Sequence, residues 1–374
     1  MLIIIIAIIT IVQSVQWSSN IFNKHLIKNA VMRNALCNDG SSAGGYFSSG
    51  FGDGQNKWII YLAGGRWCWD ENSCKHTYER NYGTNNNSFI SSNNWPTQTN
   101  FIGIMSPDLN INDFYNWNRI YIKYCSSDVY SGTSQNYENN MNYYFHGSNI
   151  VSEMLKDFTN TSIVNDTLDC ASDIIVSGSS AGGLGVMIHL NKIKDMFPNA
   201  IVKGLCDAGW LISINSNNVY DIFKEEIAKG MILWKPNFIN YHNYIPENLY
   251  TNIKNIPLYI VLNNPDGFMV LIANHTKYDQ NIINEIMEQN LKSLLIVDSY
   301  FVSNCEGIHN FIGGGNAETT SNLWNAIKVN NISLRNAFYN WYTNDMTNYK
   351  LIDNCHETNI FCTKDCVKWP NSLF

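Results

Sequence analysis

Residues 178–182 read Gly-Ser-Ser-Ala-Gly, a G-x-S-x-G pattern that follows the β-branched run "DIIV" and opens the helix-like stretch "AGGLGVMIHLNKIKDMF". In that context the pattern describes a nucleophile elbow. A strand-to-helix turn this tight needs small neighbours, and the helix after it offers unpaired N–H groups and a positive dipole end to a developing oxyanion. The chemistry is acyl transfer, with Ser180 as the attacking residue. The bland alternative is a turn whose glycines serve only its own backbone; the strand before and the helix after favour the nucleophile.

A serine alone is a weak nucleophile near neutral pH. It needs a base and an acid that orients the base, and in this architecture they follow in the chain order Ser, Asp or Glu, His. Beyond His189, which shares the helix after Ser180, the chain carries His242, His275, His309 and His356. His275 lies inside a sequon, His242 in an aromatic insertion and His356 in a cysteine-rich tail. His309, in "SNCEGIHNFIGGG", sits between Cys305 and three glycines, an anchored and closely packed setting suited to a catalytic imidazole. For the acid, Asp266 ends "PLYIVLNNPDGF", where the C-terminal rim of a parallel sheet would bring it to the side of Ser180. Asp298, in "LLIVDSY", is the runner-up, and Asp207 comes early in the chain. A solvated turn aspartate is the alternative reading of Asp266, since "NPDG" is good turn sequence. Buried beside His309, its carboxylate would hold the imidazole tautomer and stabilise the cation formed during reaction.

The oxyanion requires backbone donors. Ala181, directly after the nucleophile, is one, and "YLAGGRWCWD" supplies a glycine-rich loop whose Gly65 and Arg66 are the others. An Arg66 side chain that is merely a solvated charge would leave this assignment intact, because backbone N–H groups do the work.

These residues need a scaffold that delivers them to one rim. Buried-strand candidates recur at 57–65, 119–125, 173–180, 200–209 and 257–264, and helical patterns at 149–159, 181–197 and 278–290. Such alternation predicts an α/β fold, a mostly parallel central sheet flanked by helices. Residues 210–247 interrupt it with aromatic, weakly helical sequence and read as an insertion or lid, in which Trp210, Phe223, Ile232 and Trp234 are candidate linings for a deep acyl pocket. Aromatic residues of this kind more often belong to ordinary core. Residues 17–374 form one domain with a cysteine-rich C-terminal tail.

Composition narrows the partners. A formal charge of −7, with no Lys/Arg-rich run, lacks the basic footprint that nucleic acid or an anionic membrane surface requires. The apolar start "MLIIIIAIITIVQSVQ" is shorter than the roughly 20 residues of a membrane-spanning helix, and it reads as a signal peptide over residues 1–16. Ten cysteines, and sequons at Asn86, Asn160, Asn165, Asn274 and Asn331, agree with the secretory lumen or the cell exterior. Cys68 with Cys74, and pairs within the tail, are sterically easy disulfides. Zinc at Cys355, His356, Cys362 and Cys366 is disfavoured because the C-x2-C knuckles of structural sites are missing. No metal and no cofactor are expected.

Taken in order, "YLAGGRWCWD", "YIKYCSSDVYSG", "IIVSGSSAGGLGV", "CDAGW", "PLYIVLNNPDGF" and "SNCEGIHNF" resemble the pectin acetylesterase and Notum family from about Cys37 to about Phe311. The most specific piece is "YCSSDVYSG", which no general hydrolase pattern would generate. The resemblance implies an α/β-hydrolase-type fold and a secreted, metal-independent carboxylesterase. It also implies a triad of Ser180, Asp266 and His309, with oxyanion donors at Gly65, Arg66 and Ala181. Departures fall at Arg66, where relatives usually carry an aromatic residue, at Ala208, in place of a serine, and at Asn310, where animal members have Glu. Two substrate classes follow from the resemblance, an acetylated polysaccharide or a fatty-acylated protein, and the expectation here is O-deacetylation. The rival from another class is a carbohydrate- or lipid-binding module that keeps the fold without catalysis.

Overall fold

The computed structural model describes residues 21–81, 89–136, 143–212, 222–237, 244–264, 266, 280–305, 311–312, 323–344 and 349–353. The apolar leader and the cysteine-rich tail lie outside these residues.

Among the described residues fourteen strands run in chain order: β1 (Phe22–Leu26), β2 (Gly44–Ser48), β3 (Lys57–Leu62), β4 (Gln98–Thr99), β5 (Asn118–Ile122), β6 (Ser134–Asn136), β7 (Tyr143–Phe145), β8 (Asp173–Ser179), β9 (Ile201–Asp207), β10 (Leu258–Asn263), β11 (Tyr300–Ser303), β12 (Lys328–Val329), β13 (Ile332–Ser333) and β14 (Lys350–Ile352). Ten of them form one sheet in the order β14-β11-β10-β9-β8-β3-β5-β2-β1-β4. From β14 to β5 every neighbour pair is parallel. At the other edge β2, β1 and β4 continue antiparallel. The five strands expected from sequence therefore occupy the middle of the sheet. They are continuous apolar runs because helices cover both faces there, leaving no solvent side to alternate with.

The helices that matter for the site are α1 (Glu71–Asn81), α2 (Gly147–Asp157), α3 (Ala181–Met196) and α4 (Ile222–Trp234). α3 is buried almost all round, with Leu184, Val186, Leu190 and Ile193 inaccessible, as befits a helix that carries the chain away from a central strand. α4 lies within the stretch 210–247 expected to be an insertion, of which residues 210–212, 222–237 and 244–247 are described. Trp234 at its end is fully buried and donates its indole N–H to the Cys68 carbonyl at 2.8 Å. Among the described residues no helix is long and apolar enough to cross a membrane.

Cys68 pairs with Cys74 as the spacing suggested, and Cys37 pairs with Cys125, a bond that joins segments 88 residues apart. Cys305 is disulfide-bonded as well. Cys170 and Cys206 are free, so the even cysteine count does not translate into complete pairing. Cys206 stays reduced as a packed core thiol on β9, and burial pushes its ionisation upward.

Candidate active site

Parallel order places the C-terminal ends of β3, β8, β9 and β10 at one rim, and each carries a candidate group there. β8 ends at Ser179, and Ser180 is the turn residue before α3. Its backbone has φ 58° and ψ −123°, a conformation that L-residues other than glycine seldom adopt. Two hydrogen bonds hold it there. The Ser180 N–H donates to the Asp207 carbonyl at 2.9 Å, and the Ser180 carbonyl accepts from Leu184 N–H at 3.1 Å. The turn closes this sharply because Gly182 lies directly against the Leu62 carbonyl of the neighbouring strand, where a Cβ would overlap it. Ser180 itself is half-buried, with access to the rim.

Beneath it lies a buried polar chain. Ser179 Oγ donates to Asp207 Oδ2 at 2.8 Å and shares a 2.7 Å hydrogen bond with the Tyr61 hydroxyl. Burial drives the Tyr61 ionisation well upward, so this phenol is a neutral hydrogen-bonding group. Asp207 is thus a structural partner of the elbow.

The loop after β3 passes the same rim. Gly64 packs against Ser179 and Ser180, Gly65 packs on the Tyr124 ring, and the Arg66 side chain is exposed. The segment "YCSSDVYSG" braces this loop. Tyr130 donates its hydroxyl to the Ala63 carbonyl at 2.9 Å, the Cys68 N–H donates to the Ser127 carbonyl at 3.0 Å, and Tyr124 Oη accepts from Val129 N–H at 2.8 Å. Ser127, Val129 and Tyr130 all have positive φ. Buried Asp128 organises the strained turn by accepting from Ser126 Oγ at 2.6 Å and from the N–H groups of Tyr130, Gly132 and Gly147 at 2.8 to 3.1 Å. Burial raises its carboxyl to about 6 in spite of these donors. Sequence reading singled out this motif but gave it no task; its tyrosines and aspartate are the residues that reading missed.

Asp266 lies just past the end of β10 and is fully buried, as an orienting carboxylate would be. Asp298 does not share its rim. It precedes β11 at the opposite ends of the strands, where its side chain accepts from the Tyr250 hydroxyl at 3.2 Å. His309 lies outside the described residues, as do His242, His275 and His356. His189 is buried beneath the motif, where its Nε2 meets the Tyr130 carbonyl at 2.7 Å and desolvation lowers its pKa to about 4. No metal-ligating cluster occurs among the described residues.

The model of the Pectinacetylesterase family matches residues 15–367. The chain belongs to that family. Among curated relatives, palmitoleoyl-protein carboxylesterase notum2 of Xenopus laevis is 35% identical over 170 residues, covering 45% of this chain and 32% of the relative. Pectin acetylesterase 7 of Arabidopsis thaliana is 32% identical over 173 residues, 46% of this chain and 41% of that protein. The matched segments thus span about a third of the first relatives' length. The solved structure of the Wnt deacylase Notum from Drosophila superimposes with a TM-score of 0.79 at 25% identity, covering 93% of this chain and 99% of that one. The pectinacetylesterase sheet, elbow and glycine loop are therefore set in an architecture shared with an acyl-ester hydrolase.

Proposed function

We propose that this chain is a secreted serine carboxylesterase that removes acetyl groups from a polysaccharide. The observation that carries the catalytic half is the backbone of Ser180: a strained serine at the β8–α3 turn, half-exposed and facing a glycine-rich loop. Ser180 Oγ bonds to the ester carbonyl carbon while its proton passes to His309, which Asp266 orients. N–H groups of Gly65, Arg66 and Ala181 receive the oxyanion. Collapse breaks the bond to the alcohol, which leaves with the proton from His309. Water, deprotonated by His309, then attacks the acyl-enzyme; the bond from the acyl carbon to Ser180 Oγ breaks, His309 returns the proton to that oxygen, and acetate leaves.

Acetate is favoured over a long acyl group by what the insertion does. Trp210 and Trp234 are fully buried and spend their indole N–H groups on Ser293 Oγ and the Cys68 carbonyl, and Phe223 packs edge-on against Trp67. Ile232 points outward at 78% exposure. Four residues that could have roofed a deep apolar pocket are thus core or surface. The apolar leader, the disulfides and the exposed sequon asparagines Asn160, Asn165 and Asn331 support passage through the secretory pathway.

Labelling of the folded chain with a fluorophosphonate, read by peptide mass mapping, tests the catalytic reading. Modification at Ser180, its loss in Ser180→Ala, and collapse of p-nitrophenyl acetate turnover in that variant are expected. An unlabelled Ser180 would favour a binding module on the same fold.

A further inference from the structure

Two buried side chains, neither of them assigned to the reaction, grip the two flanks of the segment that contains His309. On the downstream flank, Asp207 Oδ2 accepts from the N–H of Phe311 at 2.9 Å and of Ile312 at 3.0 Å, in addition to Ser179 Oγ at 2.8 Å. The Ile312 carbonyl in turn accepts from Ile104 N–H at 3.1 Å. On the upstream flank, the Asn263 amide binds both backbone groups of Cys305: its Nδ2 donates to the Cys305 carbonyl at 2.7 Å, and its Oδ1 accepts from the Cys305 N–H at 2.8 Å. Oδ1 also accepts from Ser303 Oγ at 3.0 Å. Asp207 and Asn263 are both fully buried, and they are the last residues of the adjacent parallel strands β9 and β10.

One oxygen of Asp207 thus joins the residue before the nucleophile to the backbone two and three positions after His309. Asn263 ties the strand that leads to Asp266 to the backbone four positions before His309. A buried carboxylate with three donors on one oxygen, and an amide that satisfies both groups of a single residue, leave these flanks little freedom to shift. Small displacements of a base relative to its nucleophile are costly, so such anchoring has kinetic value.

We infer that Asp207 and Asn263 are positioning residues for His309, holding the flanks of its segment, Phe311 and Ile312 on one side and Cys305 on the other, at the Ser180 elbow and at the end of the Asp266 strand. The inference rests on the Ser180–His309 assignment above and adds to it how the base is held. Neither side chain takes part in bond making; each acts through the backbone it grips.

The test uses the full chain and p-nitrophenyl acetate, with Asp207→Ala, Asp207→Asn, Asn263→Ala, His309→Ala and the double variant Asp207→Asn/His309→Ala, each checked for a native thermal transition. Asp207→Ala and Asn263→Ala are expected to lower kcat by about 10²-fold with KM little changed, a loss of the size that small misplacement produces. Asp207→Asn, whose amide oxygen can still accept, should recover part of the loss, and it serves as the reading if the alanine variant does not fold. On the His309→Ala background, where oxyanion stabilisation leaves a measurable residue of activity, Asp207→Asn should cause no further loss, because the group it positions is gone. Wild-type kcat in the folded single variants would overturn the inference. So would an equal fold-loss on both backgrounds, since Asp207 would then act independently of His309. Full activity in His309→Ala would mark a different failure, that of the base assignment itself, and the inference would fall with it.

Discussion

Gly64 faces Ser180 so closely that a methyl group on its Cα would stand 3.2 Å from Ser180 Cβ and 2.7 Å from the Ser179 carbonyl oxygen. The second distance is to backbone and cannot be relieved by a rotamer change. Gly64→Ala should therefore push the glycine loop off the elbow and move the Gly65 and Arg66 N–H groups from where an oxyanion would form. We expect kcat/KM for p-nitrophenyl acetate to fall by about 10²-fold. The cause should show in kcat rather than KM, since the donors bind most strongly in the transition state. Undiminished kcat in the folded variant would detach this loop from the oxyanion role.

Glu226 links α4 to the same loop, accepting from Trp67 Nε1 at 2.9 Å. Burial raises its carboxyl from 4.5 to about 7, with Trp67, Arg66 and Lys229 opposing the rise and Asp70 adding to it. A carboxyl raised on folding binds more protons folded than unfolded between these values, so its contribution to stability declines as pH increases from about 4.5 to about 7. Glu226→Gln keeps an acceptor for Trp67 and removes the titration. Denaturant melts of both proteins should show the wild type losing stability relative to the variant across that window; parallel profiles would contradict the assignment.

The Cys37–Cys125 bond closes 88 residues of chain and anchors the start of the "YCSSDVYSG" turn, where Asn38 also bonds Ser126 and Ser127. Replacing both cysteines by alanine should cost about 2–5 kcal/mol in equilibrium unfolding, since the unfolded chain regains the closed loop's freedom. Loss of the Cys68–Cys74 bond, which spans 6 residues, should cost less. A larger effect from the short loop would mean that native packing, and not chain entropy, sets the contribution.

The sequence disclosed most where a local pattern and a period coincide. Five apolar runs became the central parallel strands because burial on both faces leaves a continuous signature. The elbow was legible because its glycines stand between a strand and a helix. The antiparallel edge was not, since β1, with "FNKHL", alternates weakly and one of its two partners, β4, comes from a remote part of the chain. Asp207 was legible as an acid near a strand end, but its partners Phe311 and Ile312 are more than a hundred positions away, and no spacing announces them. The brace at Tyr124–Gly132 was visible only as an unusual string, because its meaning lies in carbonyls it meets across the sheet. Asp298 illustrates the converse: a plausible neighbour in sequence that chain direction places at the wrong end of its strand.

Acyl-chain preference is the property that separates the two kinds of relative, one named for palmitoleoyl-protein and the other for pectin acetyl esters. A p-nitrophenyl ester series from acetate to palmitate reads it directly. In a deep apolar pocket each further buried methylene contributes about 0.8 kcal/mol, which would raise kcat/KM about fourfold per carbon until the pocket is full. Here Trp210, Phe223 and Trp234 are committed to packing, and Ile232 faces solvent. The loop beside Ser180 also carries an exposed guanidinium at Arg66, which an alkyl chain would have to desolvate if it passed that way. We therefore expect kcat/KM to be highest at acetate and to drop sharply after butyrate, with Arg66→Trp relaxing that fall. A steady rise to eight carbons or more would reject deacetylation and place this chain with the long-chain hydrolases, leaving the Ser180 assignment untouched.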